Sequence, residues 1–401
     1  MSALPGKALI LVENLPVPFD RRVWQEARSL TEAGYEVTVI CPQGRGRDTE
    51  PHIVLDGVDI HRYPLDAAGG GALSYAREYA AALSRTASLI RKRSRSIAFD
   101  VVQVCNPPDA LILTAWSLRR RGTAVIFDHH DLVPELFVSR FGRRGALYRA
   151  TLVAERLAFR LAHVVLSTNE SYRRVALERG HKQPEDVFVV RSAPDAKRFS
   201  SVPADDILRR GQRHLLAYLG VMGPQDGVDN ALRALAILRQ TRTDWHAIFI
   251  GSGDVFEQMR TLAAELGLAE SVEFTGRIPD EDVIRILSTA DVCLAPDPLN
   301  PLNDVSTMNK IIEYMALSRP IVSFDLTEAR VSAGGAALYA APNDIDDFAR
   351  RIDELLDSPS LREEMGKSGR RRFEDEISWS RSEEQLLAGY ERALTLARTH
   401  R

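Results

Sequence analysis

The stretch "KALILVENLPVPFDRRVWQEARSLTEAGYEVTVICP" (7–42) decides the fold class of this 401-residue chain. Its apolar run at 7–12 predicts a buried strand, and the segment from 20 to 33 has helical spacing and ends at Gly34. The apolar run that follows predicts a second strand. Strand, helix and strand in this order form a βαβ unit, which indicates a parallel sheet.

The same alternation continues along the chain and restarts in its second half. Four further strands are predicted at "DVVQVCN", "AVIFDHHD", "HVVLSTN" and "VFVVRSAP", and "HIVLDGVDIHRYP" reads as a hairpin. Six more follow between "HLLAYLGVMG" and "AALYAAP". The fold class is therefore α/β, with two Rossmann-like doubly wound domains expected to face each other across a cleft. The predicted segments are 1–195, joined by a C-terminal helix at 377–401, a linker at 196–212, and a second domain at 213–376.

Composition narrows the class of protein. Three widely spaced cysteines favour a reducing compartment, and no run approaches the roughly 20 apolar residues of a membrane span. The N-terminal apolar run is too short for a signal peptide, so a cytoplasmic protein is expected. Residues 1–200 hold 29 Lys and Arg against 22 Asp and Glu, whereas the remainder holds 23 against 33. The basic half either faces an anionic partner or has ordinary Arg-rich helix surfaces.

Two glycine-containing turns mark the second half. "YLGVMGPQDGVDNALRAL" (218–235) and "FIGSGDVFEQM" (249–259) each read as strand, loop and helix. Gly220, Gly223 and Gly251 would let backbone N–H groups approach a phosphate, although such turns also serve tight packing alone. "GSGDVF" is not a complete GxGxxG, so nicotinamide binding is little supported.

The segment "LNDVSTMNKIIEYMALSRP" (302–320) predicts a helix at about 307–317 with Ser306 or Thr307 as its N-cap. Its N-terminus would bind an anion with help from the charge of Lys310, and Glu313 would accept hydrogen bonds from two ribose hydroxyls. The alternative is a Lys310–Glu313 pair on a solvated face. The candidate donor-binding residues of this segment are Ser306, Thr307, Asn309, Lys310 and Glu313.

In the first half, "AVIFDHHDLVPE" (124–135) ends a strand in two histidines. Side chains alternate along a strand, so only one histidine should face the cleft, with Asp131 available to orient it. Adjacent histidines suit a single metal poorly, although a capped loop without chemistry remains an alternative. The candidate acceptor or cleft residues are Asp20, Arg21, Arg22, Asn106 and Glu135. For Asp20 a simple N-cap is the competing interpretation.

Two further segments receive structural and functional interpretations. Asp344-Ile345-Asp346 resembles a metal-binding DxD, but it opens a helix and is read as capping, so no metal is predicted. "SRFGRRGALYRATLVAERLAFR" (139–160) mixes arginines with apolar residues, which suits contact with an anionic membrane. Its apolar side is equally compatible with ordinary core.

In combination, "GVMGPQDGVDNALRAL", "FIGSGD", "VEFTGRIPDEDVIRILSTADVCLAPD" and "NDVSTMNKIIEYMALSRPIVSFD" resemble the retaining glycosyltransferases of family 4, whose fold is called GT-B. The resemblance covers nearly the whole chain. "DRRVWQEARSLTEAGYEVTVICP" and "FDHHDLVPELF" look like a subgroup that builds surface polysaccharides, including transferases for N-acetylated deoxyhexosamines of the fucosamine type.

The resemblance implies roles for several residues. Glu313 matches the second Glu of the family's Glu-x7-Glu motif, which binds the ribose, and Arg277 with Ile278 falls at the nucleobase pocket. His130 matches an active-site histidine near the donor sugar. Lys310 is expected to stabilise the leaving diphosphate, and His130, Asp131 and Lys310 are the candidate catalytic residues.

Three positions depart from the family pattern. The first Glu of the motif is replaced by Val305, which suggests that Asp304 or the backbone N–H groups of 304–307 take its place. Many relatives carry an Arg and a Lys in the first glycine loop, where this chain has Val221 and Asp226. The loss of the Glu suits a deoxy or N-acetylated sugar.

The resulting hypothesis is a hexosyltransferase that moves a sugar from a nucleoside diphosphate, with UDP favoured by analogy with relatives, to a polysaccharide or lipid-linked acceptor. No cofactor or metal is expected, nor nucleic acid as a partner, and the enzyme would act at the inner face of the plasma membrane. A sugar-nucleotide epimerase of the same fold, or a non-catalytic nucleotide-sugar-binding subunit, is the alternative. An epimerase would turn over donor without acceptor, and a binding subunit would release no nucleotide.

Overall fold

The computed structural model describes residues 5–399 except 45, 47, 66–71, 143, 195, 197 and 198. The chain forms two compact units, Met1–Ser192 with Ser382–Arg401, and Ala193–Arg381. Much of the segment predicted as a linker belongs to the second unit. Ser201 Oγ donates to Leu317 O at 2.8 Å, and the Arg209 guanidinium contacts the Asp291 carboxylate. These contacts attach the segment to the second unit.

The first unit is built on an eight-stranded sheet with the order β3-β4-β2-β1-β5-β6-β7-β8. Its strands are β1 (Lys7–Leu11), β2 (Glu36–Pro42), β3 (His52–Leu55), β4 (Val58–Tyr63), β5 (Val101–Cys105), β6 (Ala124–His129), β7 (Val164–Ser167) and β8 (Val187–Val189). All neighbours pair in parallel except β3 and β4, which form the predicted antiparallel hairpin.

Helices connect these strands. They are α1 (Arg21–Glu32), α2 (Ala72–Arg93), α3 (Trp116–Arg119), α4 (Val133–Phe141), α5 (Ala146–Leu161) and α6 (Glu170–Glu178). The C-terminal helix, labelled α14 (Trp379–Thr399) in chain order, runs into this unit. Its Tyr390 is fully buried and donates to Gln103 Oε1 on β5 at 2.7 Å, which ties the end of the chain to the first sheet.

The second unit has a six-stranded, all-parallel sheet with the order β11-β10-β9-β12-β13-β14. Its strands are β9 (His214–Leu219), β10 (Trp245–Ile250), β11 (Val272–Gly276), β12 (Val292–Ala295), β13 (Ile321–Phe324) and β14 (Ala337–Ala340). Its helices are α7 (Val228–Leu238), α8 (Phe256–Glu265), α9 (Asp280–Thr289), α10 (Asn309–Ala316), α11 (Thr327–Ala333), α12 (Ile345–Asp357) and α13 (Pro359–Arg372).

The α/β class and every predicted strand are confirmed. The central strands are buried on both faces, as near-continuous apolar runs in parallel sheets must be. In a search of the part of the chain that the structure describes, no helix is long and apolar enough to cross a bilayer. Each sheet aligns the carboxyl ends of its parallel strands along one edge, where the candidate site residues lie.

Candidate active site

A network of buried charged side chains lies at the carboxyl end of β6. Arg22 Nη2 donates to Asp128 Oδ1 at 2.8 Å, and Arg22 Nη1 donates to the backbone oxygen of Val190 at 2.6 Å. Asp128 Oδ2 lies 2.6 Å from His130 Nε2 and accepts from Gln103 Nε2 at 2.8 Å. Helix α1 and strands β5 and β6 thus contribute to one cluster, with His130 at its more accessible side.

Charged neighbours shift the pKa values of His130 and Asp128 in opposite directions. Burial alone would lower the pKa of His130, but the neighbouring Asp128 carboxylate outweighs it and raises the pKa. Burial alone would raise the pKa of Asp128, but Arg22 and His130 hold it well below its usual range. Arg22 Nε donates to His130 Nε2 at 2.8 Å, and the same ring nitrogen lies 2.6 Å from Asp128 Oδ2. Arg22 Nε also lies 3.1 Å from Glu26 Oε1 as an ion pair.

Asn106 positions the backbone beside the histidine. Its Oδ1 accepts from the backbone N–H groups of His130 at 2.6 Å and Asp131 at 3.0 Å. Its Nδ2 donates to Asp131 O and Asp109 Oδ1, both at 2.7 Å. Asn106 is almost fully buried, so it acts on the loop after β6 from within rather than offering its own amide to a ligand.

The prediction that Asp131 orients His130 is wrong. Asp128, three residues earlier at the end of β6, makes that contact, because it points to the same side of the strand as His130. The alternation of the two histidines is confirmed. His129 is fully buried among Phe127, Phe159 and Tyr172, and burial lowers its pKa to about 3, so it is a neutral core residue.

Most of the other predicted cleft residues make structural contacts within the first unit. Asp20 is the N-cap of α1, with Oδ1 accepting from Val23 N at 3.1 Å, which favours the simpler interpretation. Arg21 is exposed, whereas Arg22 belongs to the buried cluster. Glu135 accepts two hydrogen bonds from Arg179, at 2.6 and 3.2 Å, and Arg179 also contacts the buried Glu155. This pairing engages both carboxylate oxygens of Glu135 and makes it an unsuitable acid or base.

A buried carboxyl behind Asn106 yields a pH prediction. Burial raises the pKa of Asp109 from 3.8 to about 8, with Asn106 opposing the shift. Between these values the unfolded chain is ionised while the folded chain binds a proton, so this group's stabilisation falls as pH rises. We expect Asp109→Asn to remove that slope. The free energy of unfolding by denaturant, measured from pH 5 to 9, should fall less steeply in this variant than in the wild type.

The matched control for this prediction is Asp206→Asn, since that side chain is 89% exposed. It should leave the pH profile unchanged. Parallel profiles for wild type and Asp109→Asn would show that Asp109 ionises normally in the folded chain.

In the second unit, the two glycine loops lie side by side at the ends of β9 and β10. Gly220 N donates to Ile250 O at 3.0 Å. A Cβ atom on Gly251 would lie 1.9 Å from Gly220 O, and the φ angle of 125° at Gly251 is itself one that side chains rarely adopt. Only glycine therefore fits there. Gly223 N donates to Asp226 Oδ2 at 2.8 Å, so a phosphate contact by this N–H would have to replace a bond within the loop.

Lys310 lies beneath these loops, buried and paired. Its Nζ is 2.6 Å from Asp297 Oδ1 and 5.1 Å from the centre of the Tyr218 ring. A Cβ atom on Gly220 would approach Lys310 Cε to 3.2 Å, which places the lysine directly against the first glycine loop. Burial alone would lower the pKa of Lys310, but Asp297 outweighs it and raises the pKa. The alternative of a Lys310–Glu313 pair on a solvated face is wrong.

Helix α10 begins two residues later than predicted, at Asn309, and its N-cap position is Met308. Ser306 does not cap it, because Ser306 Oγ donates back to Leu302 O at 2.7 Å. Thr307, the other predicted cap, also precedes the capping position. The hydroxyl of Ser306 is used by the short 3-10 turn at Asn303–Val305, which delays the α-helix.

The same turn engages the groups expected to replace the missing Glu. The backbone N–H groups of Asp304, Val305 and Ser306 donate to Asn300, Leu302 and Asn303 respectively. The Asp304 carboxylate accepts from Thr327 N at 2.8 Å and Thr327 Oγ1 at 3.1 Å. The N–H groups of 304–306 and the Asp304 carboxylate would therefore each have to give up one of these hydrogen bonds before taking the place of the first Glu.

The remaining predicted donor residues lie around α10 and β11. Asn309 is exposed in the first turn of α10, and Glu313 is half-buried one turn further on. Arg277 is exposed immediately after β11, and Ile278 packs partly against the core. Val221 and Asp226, which stand where many relatives have an Arg and a Lys, supply no positive charge to the glycine loop. Val221 is 58% exposed, and burial raises the pKa of Asp226 to about 6, with Lys310 opposing the shift.

Several positioning residues were missed by sequence reasoning. In the second unit they are Asp297, which follows β12, and Tyr314, whose hydroxyl accepts from Leu219 N at 2.8 Å and donates to Leu294 O at 3.1 Å. In the first unit they are Asp128 and Gln103. Asp128 and Asp297 each lie at the carboxyl edge of a parallel strand, and that position was the available signal.

The acidic and histidine clusters also bear on metal binding. Asp344 accepts from Asp347 N at 2.9 Å as the N-cap of α12, so its predicted capping role is confirmed. Glu26, Cys105, Asp128 and His130 are close enough to hold an ion, but the Arg22 guanidinium already donates into this group. A cation there would have to displace a buried positive charge, so these residues fit a metal poorly.

Two family matches account for most of the chain. Residues 204–372 match the family described as glycosyl transferases group 1, and residues 20–193 match the glycosyl transferase 4-like domain. Both halves of the chain are glycosyltransferase domains. The 4-like domain carries the Arg22–Asp128–His130 cluster, and the group 1 domain carries the glycine loops with Lys310. The chain is accordingly a GT-B glycosyltransferase.

Individual relatives agree with this assignment at low identity. The 2-deoxystreptamine glucosyltransferase of Streptomyces kanamyceticus is 26% identical over 60% of this glycosyltransferase, and the match spans 63% of that relative. Sucrose-phosphate synthase of Thermosynechococcus elongatus shares the fold with a TM-score of 0.75 at 18% identity, covering 98% of this chain and 100% of that one. HepE of Anabaena, solved with UDP-glucose, has a TM-score of 0.70 at 15% identity, covering 95% and 98%.

Proposed function

We propose that this glycosyltransferase moves a hexose from a nucleoside-diphosphate sugar to a glycan or lipid-linked acceptor. The observation that carries the proposal is the position of Lys310, a buried ammonium held by Asp297 directly against the Gly220 loop. A buried cation beside a glycine loop at a parallel-sheet edge suits a diphosphate. The UDP-glucose complex of HepE, a protein of the same fold, supports a UDP-sugar as donor.

The finer identity of the sugar rests on position 305. The family motif has a Glu there, and this chain has Val305, while the neighbouring Asp304 is engaged by Thr327. A donor with fewer hydroxyls to recognise suits that loss, so we propose an N-acetylated or deoxy hexose. The resemblance to fucosamine-type transferases supports the same sugar class.

The proposed chemistry proceeds with retention and without a covalent nucleophile. The bond between the anomeric carbon and the diphosphate oxygen breaks, and Lys310 stabilises the charge that develops on that oxygen. The acceptor hydroxyl attacks from the same face, and its proton passes to the departing phosphate oxygen. His130, oriented by Asp128, would position the sugar. Lys310 would supply the compensating charge, so no metal is proposed for this step.

We further propose that the acceptor is reached at an anionic membrane surface, on the cytoplasmic side. Helix α5 exposes Leu147 and Val153 together with Arg149, Arg156 and Arg160. Exposed apolar and basic side chains on one helix suit insertion at lipid headgroup level. Of the predicted membrane stretch, Phe159 is core, and Arg143 and the Arg140 side chain lie outside the described residues.

The test measures donor binding as a rise in melting temperature with each of a set of UDP-, GDP-, dTDP- and ADP-sugars. We expect stabilisation by one nucleotide class, lost in Glu313→Ala because the ribose contact is removed. Arg260→Ala, an exposed side chain on α8, is the control and should keep the shift. No stabilisation by any nucleotide sugar at millimolar concentration would contradict the donor site.

A second assay separates transfer from its alternatives. Incubation of the bound nucleotide sugar with acceptor should release the nucleoside diphosphate, whereas incubation without acceptor should leave the sugar configuration unchanged. Conversion of the donor sugar in the absence of acceptor would instead identify an epimerase. Donor binding without nucleotide release from any acceptor preparation would favour a binding subunit.

A further inference from the structure

A second group of metal-ligand side chains lies on the edge hairpin of the first sheet. His52 on β3 pairs directly with His61 on β4 across the antiparallel ladder, and Asp59 lies two residues before His61. Residues at these positions project from the same face of a hairpin. One ring nitrogen of each histidine and a carboxylate oxygen of Asp59 all lie within 4.8 Å of one another.

Both histidine side chains contact the single carboxylate of Asp59, whereas an ion pair needs only one histidine. His52 Nε2 lies 2.7 Å from Asp59 Oδ1, and His61 Nε2 lies 3.0 Å from Asp59 Oδ2. Both Nε2 atoms therefore face the Asp59 carboxylate, and the two rings are stacked 4.5 Å apart with planes only 8° from parallel. We propose that His52, His61 and Asp59 bind a divalent transition-metal ion of the zinc class.

The donor set suits zinc. Two imidazole nitrogens and one carboxylate oxygen, with water in the fourth position, are a common tetrahedral set with distances of about 2.0–2.2 Å. His52 is 55% exposed on the short edge strand and free to close the remaining distance. Each ring would carry its proton on Nδ1, leaving the Nε2 lone pair for the metal.

Arg93 on α2 supports the carboxylate from behind. Its Nη2 donates to Asp59 Oδ2 at 2.9 Å, leaving Oδ1, the oxygen nearer His52, for the metal. Hydrogen bonds to the second oxygen of a metal-binding carboxylate are usual and orient it. The bound ion would fix β3, which lies beside β4 at the end of the strand order, to the rest of the sheet.

The experiment uses the full-length, tag-free chain after treatment with a chelator. Titration calorimetry with zinc chloride should show one equivalent bound, and cobalt should give the visible absorption of a tetrahedral site. The variants are His52→Asn and His61→Asn. Each should lose zinc affinity by more than about 100-fold, because even changes behind the ligands cost about 10–100-fold.

His181→Asn is the matched control, since His181 is exposed and Asn tolerates its left-handed backbone, with φ of 50°. It should bind zinc as the wild type does. Zinc should also raise the melting temperature of the wild type but not of His52→Asn. If His61→Asn fails to fold, the exposed His52 variant still decides the matter. No zinc binding by the wild type, or equal binding by His52→Asn, would overturn the proposal.

Discussion

Lys310→Met is expected to reduce sugar transfer by about 10²–10³-fold, because the cation proposed to stabilise the leaving diphosphate is removed. The same change should lower the free energy of unfolding by about 3–5 kcal/mol. Lys310 is 7% exposed and its partner Asp297 is 2% exposed, so the substitution leaves a carboxylate buried without its cation. Initial rates of nucleotide release and chemical denaturation measure the two effects.

The two effects can be separated by changing both partners. Lys310→Met combined with Asp297→Asn removes the isolated charge, so most of the stability should return while transfer stays low. This double variant is the decisive one, since loss of activity in the single variant alone also follows from misfolding. A double variant that transfers sugar within tenfold of the wild-type rate would show that Lys310 does not act on the diphosphate.

A surface lysine provides the control for the charge itself. Lys367 pairs with Glu363 on α13, and both side chains are more than two-thirds exposed. Such an exposed pair contributes little because water and salt screen it, so Lys367→Met should change neither rate nor stability appreciably. The contrast follows from burial, because both lysines make a short contact with a carboxylate.

The alternation of apolar runs predicted the α/β class and the strands, whereas the side-chain partners at the strand ends were predicted only in part. Strand identity depends on local sequence, and every strand, including the β3–β4 hairpin, lies where expected. The partner of Lys310 was missed because Asp297 is thirteen residues earlier on another element. That contact exists only because the chain segments after β12 and at α10 meet at the end of the sheet.

The predicted helix start failed for a local reason. Serine is a favoured N-cap residue, but the Ser306 hydroxyl donates to Leu302 O, four residues earlier in the chain. A hydroxyl engaged in this way does not cap α10. The opposite orientation of His129 and His130 was predicted correctly, while Asp131 was preferred over Asp128 as the partner of His130. Sequence adjacency favoured Asp131, and the strand's alternation, applied to the histidines alone, would have favoured Asp128.

Arg22→Met is expected to destabilise the first unit by about 3–5 kcal/mol, the cost of leaving the buried Asp128 carboxylate without its cation. Arg22 bridges Asp128 and Glu26, which are both fully buried, and also donates to Val190 O. Arg22→Lys keeps the charge without the planar set of donors, so it should recover part of this loss. Arg21→Met, at the exposed neighbouring position, should change stability by no more than about 0.5 kcal/mol.

The pH dependence of this effect tests its electrostatic origin. The depressed pKa of Asp128 means that its ionised form stabilises the fold above the unfolded value of about 3.9, and that this stabilisation is lost as pH falls. The difference between wild type and Arg22→Met should therefore be largest near neutral pH and shrink progressively as pH falls below about 4 toward the depressed pKa of Asp128, where the protonated carboxyl no longer needs a cation. A difference that stays constant from pH 7 to pH 3 would show that Arg22 contributes packing alone. A loss below about 1 kcal/mol at pH 7 would mean that Gln103 and His130 suffice to hold Asp128, and that the position of His130 does not depend on α1.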